Sequence, residues 1–226
     1  MSRNFSREGK AVVLLAIGLL LGLAAPIAWL IVAQPDPTQS PDNAGAYQGT
    51  ALNGLAADFQ LVDQTGVTVA LSDFRGQVVA LTFMDSQCTD TCPLTAAHLL
   101  RVHQTLGDEA GSVVFIGVNV NLQANTVTEV MLTTSRWRLT EIPTWHFLTG
   151  SAEELAQVWK AYDVTALPDP AGGPGILHTP GVFLIDQVGQ KRWYVSTPFD
   201  ETGGSQVSPP LNELLVKHID ELLNEN

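Results

Sequence analysis

Cys88 and Cys92 are the only two cysteines in 226 residues, and they stand in the stretch Asp85-Ser-Gln-Cys88-Thr-Asp-Thr-Cys92-Pro93-Leu-Thr95. Two thiols at this spacing can do two kinds of chemistry. They can close a disulfide, which requires Cα atoms within about 7 Å, or grip one soft metal ion. Either use needs at least one thiolate. Proline is favoured at the first position of a helix, where its missing N–H goes unused, so Pro93 predicts a helix start with Cys92 as its N-cap. That end carries partial positive charge, which favours thiolate over thiol. The plain alternative, two buried cysteines acting as small apolar residues, fits poorly with a turn rich in polar side chains.

Such a turn must be held by regular elements on both sides. Val78 to Met84 is an unbroken apolar and β-branched run that predicts a buried strand, and Leu99, Val102 and Leu106 repeat at helical spacing after it. The cysteines therefore belong on a strand-to-helix connection. Upstream, Phe59 and Leu61, a turn at Asp63-Gln-Thr-Gly66, and Val67, Val69 and Leu71 predict a β-hairpin. Downstream, Val113 to Val120 predicts a second buried strand, Thr126 to Leu139 a helix, and Trp145 to Leu148 a third strand. Ser151, with Glu153 and Glu154 behind it, caps a helix reaching about Tyr162. This alternation predicts parallel strands joined by right-handed crossovers. Leu167 to Gly175 is a Gly/Pro-rich surface loop; strands at Gly181–Asp186 and Arg192–Val195 form a hairpin, and Pro210 to Leu222 a final helix. The expected class is α/β, a thioredoxin-like fold with an N-terminal β-hairpin extension, without internal repeats.

Ahead of this domain, Ala11 to Ala33 contains no charged residue. At about 1.5 Å per residue the run reaches about 35 Å, enough for a hydrocarbon core of about 30 Å. It exceeds the apolar region of a cleaved signal and lacks a clear small-residue exit, so it predicts a retained anchor. Arg3, Arg7 and Lys10 precede it, which places the amino terminus in the cytoplasm and the remainder outside, in a disulfide-permissive space. The expected organisation is a basic flank at 1–10, an anchor at 11–33, a flexible linker at 34–54 and one domain at 55–226. The net charge of −12 argues against nucleic acid as a partner.

The chain resembles the Sco/SenC family, membrane-anchored thioredoxin-fold proteins of cytochrome c oxidase copper-site assembly. The resemblance spans about residues 55–200 and is carried by Leu71-Ser-Asp-Phe-Arg-Gly76, Cys88-x-x-x-Cys92-Pro93, Trp145-His-Phe-Leu-Thr-Gly150, and His178-Thr179 before Phe183-Leu-Ile-Asp186. It implies copper ligation by Cys88, Cys92 and His178, as Cu(I) or Cu(II), and an oxidase subunit as the extracytoplasmic partner. Sulfur and imidazole donors suit copper, and three ligands leave room for an incoming one; zinc is the competing metal. His98, His103, His146 and His218 fall within helices or a strand and are expected to pack rather than ligate. Departures from the family pattern are Thr89 after the first cysteine, Leu177 before the histidine, and Asn119 to Asn125 in place of an Asp-bearing segment. Pro180 is another, since Thr179-Pro180 resembles the cis-proline facing the cysteines of thioredoxins.

Two functions of different kinds follow. One is a metallochaperone that delivers copper to a cuproprotein. The other is an enzyme, a thiol-disulfide oxidoreductase whose catalytic pair is Cys88 and Cys92, one attacking and the other resolving. His178 favours the first, Pro180 the second. A peroxidase of peroxiredoxin type is a third option, weakened by the lack of a Pro-x-x-x-Thr/Ser-x-x-Cys approach to either cysteine.

Overall fold

The computed structural model describes residues 47–168, 175–196 and 209–225. The expected basic flank and anchor lie outside the described residues, as does the linker up to residue 46. Among the described residues no helix is long and apolar enough to cross a membrane.

The chain enters through β1 (Thr50–Ala51), an edge strand, and then forms the predicted hairpin from β2 (Gln60–Val62) and β3 (Thr68–Ala70). The hairpin turn is built around Asp63, whose carboxylate accepts from Thr65 N at 2.8 Å and Val67 N at 3.1 Å. Next come β4 (Val78–Met84), α1 (Thr91–Leu106), β5 (Val113–Asn119), α2 (Val127–Arg136) and β6 (Trp145–Leu148). β4, β5 and β6 pair in parallel, as the alternation predicts. α2 ends before Leu139 because Trp137 leaves the helical track and Arg138 takes a left-handed conformation, φ 60°.

α3 (Ala152–Ala161) starts at Ser151 with a reciprocal capping box to Glu154. It leads to β7 (Ala166–Pro168) and β8 (Ile176–His178), which pair antiparallel as a sheet of their own. The structure corrects the loop expected over Leu167–Gly175 at its start: Leu167 faces Leu177 in register, and Pro168 sits on a strand edge where a missing N–H costs little. β9 (Val182–Ile185) and β10 (Lys191–Val195) form the late hairpin, and α4 (Leu211–Asn224) closes the chain. The main sheet has the order β1-β10-β9-β4-β5-β6, with β9 antiparallel to β4.

Side chains of β4 alternate between two cores. Val78 and Ala80 face the layer made by α1 and α4, where Leu99, Val102, Leu215 and Ile219 are buried; Val79, Leu81 and Phe83 face α3 and the β2–β3 hairpin, where Leu61, Leu155 and Val158 are buried. Truncating one such leucine to alanine costs about 2–5 kcal/mol. The central strands are therefore fixed from both faces, which makes the end of β4 a rigid platform for the turn that follows.

The ordered body begins before residue 55, so the expected flexible linker is corrected at its C-terminal end. Thr50 and Ala51 pair with Tyr194 and Trp193, and Leu52 N donates to Arg192 O at 2.8 Å, giving β10 the neighbour an edge strand otherwise lacks. His218, buried on α4, stacks on Trp193 at 3.9 Å between ring centroids and meets Gln48 O through Nε2 at 2.6 Å.

Candidate metal centre

The turn between β4 and α1 differs in one detail from the expectation. Asp90 is the N-cap, accepting from Thr91 N at 2.6 Å, and Pro93 is the third helical residue, still within the turn whose N–H groups lack intrahelical partners. Cys92 thus lies inside the first turn, buried against the α1–α4 core. Cys88 stays outside the helix and half-buried, and its Sγ receives the Cys92 N–H at 3.3 Å. The free amide at the helix start serves the sulfur of Cys88 rather than that of Cys92.

This geometry splits the two thiols. Pairing with the Cys92 side chain, together with the Cys92 amide, outweighs burial and the nearby Asp90 carboxylate and holds the Cys88 pKa down at about 6. Cys92 is pushed far up by that same pairing with Cys88, then by burial and by the charge on Cys88. At neutral pH the pair shares one proton, with the negative charge on Cys88. Asp90 is adjacent, 3.1 Å from Cys88 Sγ.

β8 brings the third predicted residue to the same place. His178 Nε2 stands 3.5 Å from Cys92 Sγ, while Nδ1–H donates to the Thr179 carbonyl at 3.2 Å. That donation fixes the tautomer whose Nε2 lone pair faces the sulfur. Burial pushes the His178 pKa down, which keeps the ring neutral at pH 7 and fit to ligate. The segment after it is braced: the Tyr194 hydroxyl donates to Pro180 O, and the Tyr194 ring fills the space a side chain at Gly181 would need, at φ +147°. Among the described residues no peptide bond is cis, so the expected cis-Pro180 is corrected to trans. Pro180 nevertheless lines the cleft, about 460 Å³ in volume, together with Asp85, Cys88, Asp90, Ile176 and His178.

The other histidines pack, as expected. His98 Nδ1 meets Asn212 at 2.8 Å, His146 pairs with Asp63 at 3.1 Å, His103 sits edge-on to Phe115, and His218 is occupied by Gln48 and Glu221. Two site residues were not singled out from the sequence, Asp85 and Asp90. The signal for Asp85 is a carboxylate directly after the buried run Val78–Met84.

Two sulfurs and an imidazole nitrogen form a donor set for a soft, thiophilic ion. Among the described residues no three His, Cys, Asp or Glu side chains are already arranged as a metal cage. Cys88 Sγ is engaged by Asp90 and, at 3.6 Å, by Thr91 Oγ1, whereas Cys92 Sγ faces His178. Cys88 Sγ lies against the Cys92 amide and Cys92 Sγ against His178 Nε2, so the three donors are neighbours in pairs and their chemistry fits such an ion.

A family model described as SCO1/SenC matches residues 48–202. The chain is 31% identical over 153 residues to the mitochondrial SCO2 homolog of Bos taurus, covering 66% of this chain and 55% of that protein. It thus spans about half the length of that curated relative. Among solved structures it is similar to a SCO1/SenC family lipoprotein from Bacillus anthracis, with TM-score 0.64 and 21% identity over 77% of this chain and 98% of the other. It is also similar to ScoI of Bradyrhizobium japonicum with copper bound, with TM-score 0.59 and 24% identity over 75% of this chain and 99% of the other. These likenesses carry the thioredoxin-like α/β fold.

Proposed function

We propose a function from one premise: the chain belongs to the SCO1/SenC family. On that premise it is a copper-binding protein that takes copper as cargo through Cys88, Cys92 and His178 and passes it to an extracytoplasmic copper-site protein, a cytochrome c oxidase subunit. Residues 11–33 tether it to the membrane as a single span with the amino terminus in the cytoplasm. The observation that carries the reading is the approach of His178 Nε2 to within 3.5 Å of Cys92 Sγ, with Cys88 Sγ on the Cys92 amide at 3.3 Å. A dithiol exchanger has no need of a neutral imidazole aimed at its buried sulfur. The copper-bound ScoI of Bradyrhizobium japonicum supports the choice of metal. Two soft thiolates and one imidazole favour Cu(I) and leave a coordination position for the acceptor's own ligand.

The test is anaerobic titration of the reduced protein with Cu(I) and Cu(II), with metal bound and free thiols counted together. One copper per chain is expected, with protection of both thiols and loss of binding after Cys88 and Cys92 are joined in a disulfide. Equal binding by the disulfide form would remove the sulfurs from the site.

A second reading rests on a separate observation, the asymmetry between a half-exposed Cys88 with pKa held at about 6 and a buried Cys92 pushed upward. That is the arrangement of an attacking and a resolving thiol in a thiol-disulfide oxidoreductase. Reduction of a peptide disulfide at rates well above those of free dithiol, undiminished in His178→Ala, is the result that would favour it.

A further inference from the structure

Asp85 carries an ionisable side chain that is 0% exposed at the end of β4. A carboxylate is removed from water at high cost unless its oxygens are satisfied, and here both are. One oxygen accepts from Gln87 N at 2.8 Å and Asn121 Nδ2 at 2.8 Å, and the other from Ile176 N at 2.9 Å. These donors come from three different places. Gln87 lies in the cysteine turn, Asn121 follows β5, and Ile176 opens β8, two residues before His178. Asp85 also gives its main-chain carbonyl to Cys88 N at 3.1 Å.

The bond to Ile176 matters because β7 and β8 form a sheet separate from the main one. Their strand pairing fixes the hairpin internally and Ala166 and Ile176 pack it on the core, but neither gives it a hydrogen bond to the cysteine turn. The Asp85 carboxylate supplies that link, on a residue held rigid by the double-sided burial of β4. We infer that Asp85 is a positioning residue: its buried carboxylate latches the His178 hairpin to the cysteine turn and so sets the approach of Nε2 to Cys92 Sγ.

The consequence for copper rests on the reading under Proposed function, whereas the latch itself can be tested without metal. Asp85→Asn keeps the shape of the side chain. Its one oxygen can still accept from Gln87 and Asn121, but its NH2 group then faces the Ile176 N–H, donor against donor. The start of β8 is released and the main sheet is left as it was.

Hydrogen exchange is measured on the reduced, metal-free full-length chain, comparing the segment 176–179 with β5. In Asp85→Asn, exchange over 176–179 rises by about tenfold or more, as loss of a charge-assisted bond implies, while β5 is unchanged. Ile176→Pro removes the donor and leaves Asp85 intact, and the same acceleration is expected at His178 and Thr179; it also decides the matter if Asp85→Asn does not fold. Cu(I) affinity, read against a competing chelator, falls in proportion to the fraction of molecules with the hairpin in place. Unaltered exchange over 176–179 in the variants, or an equal rise in β5, overturns the latch. A wild-type chain that binds no Cu(I) overturns the copper reading instead, and the metal-free exchange result still decides the role of Asp85.

Discussion

Cys92 Sγ and His178 Nε2 stand 3.5 Å apart although 86 residues separate them in the chain. The sulfur is anchored in the α1–α4 core, and the imidazole is carried by a small hairpin outside the main sheet. One partner of the contact is therefore rigid and the other is placed by a few bonds. Such a division suits the proposed holding and release of an ion, with the buried sulfur as the fixed point and the ring and Cys88 at the cleft mouth as the adjustable ones.

Replacing His178 with alanine is expected to weaken Cu(I) binding strongly. Loss even of a residue that only orients a ligand costs about 10–100-fold in metal affinity, and loss of a donor at least as much. The melting temperature is expected to change little, because the ring is only half-buried. Competition against a Cu(I) chelator measures this, and an affinity equal to the wild type would strike His178 from the ligand set.

The pH dependence of Cys88 follows from its depressed pKa. An ordinary thiol titrates near 9.0, whereas Cys88 is held at about 6, so it is mainly thiolate at pH 7. The stability this thiolate contributes is complete above the unfolded value and lost as pH falls through about 6. In the reduced, metal-free protein the alkylation rate at Cys88 is expected to rise with a midpoint near 6. The Asp90 side chain works against the thiolate, and Asp90→Asn, which retains an N-capping oxygen, is expected to move the midpoint lower. A midpoint near 9, or an upward move in the variant, would contradict the charge placement.

Much of this was legible in the sequence, for identifiable reasons. Val78–Met84 and Val113–Asn119 are almost wholly apolar or β-branched, the pattern of strands covered on both faces, and the Ser151–Glu154 box announces α3. The two cysteines were found because their spacing is a local signal. Asp85 was not, because its partners Asn121 and Ile176 lie 36 and 91 residues away and no local pattern reports them. The proline rule points to Cys92 as the N-cap, whereas Asp90 caps the helix, accepting from Thr91 N, and the helix starts two residues earlier. Proline suppresses the strand signal at Leu167 and Pro168, yet an edge strand tolerates it.

The β2–β3 hairpin depends on Asp63. This carboxylate is 3% exposed; burial alone would raise its pKa, but the bonds from Thr65, His146 and Val67 outweigh burial and lower it from 3.8. A group depressed in the folded state contributes stability that is present above its unfolded value and lost as pH falls through the folded one. Asp63→Asn is therefore expected to cost about 1–3 kcal/mol at pH 7, since hydrogen bonds to a charged group are being weakened, and progressively less below pH 3.8. Denaturant melts at both pH values test the sign. A cost that grows on acidification would show that the carboxylate is not the stabilising form.

The two readings of the cysteine pair part at Cys92, and the structure says why. In copper binding the sulfurs are equivalent in kind, each a donor to one ion, so Cys88→Ser and Cys92→Ser are expected to lose Cu(I) binding to similar extents. In disulfide exchange they are unequal. Cys88 is reachable and carries the negative charge, whereas Cys92 is buried and protonated, so Cys88 attacks and Cys92 resolves. A Cys92→Ser variant would then still attack and would remain joined to its target as a mixed disulfide. With copper delivery as the function, that variant is expected to accumulate no such adduct in membranes and to fail in support of oxidase copper-site assembly as completely as Cys88→Ser. Non-reducing electrophoresis of the membrane fraction, set beside oxidase activity in the same cells, reads both outcomes. Abundant Cys92→Ser adducts together with oxidase assembly preserved in His178→Ala would transfer the function to thiol exchange.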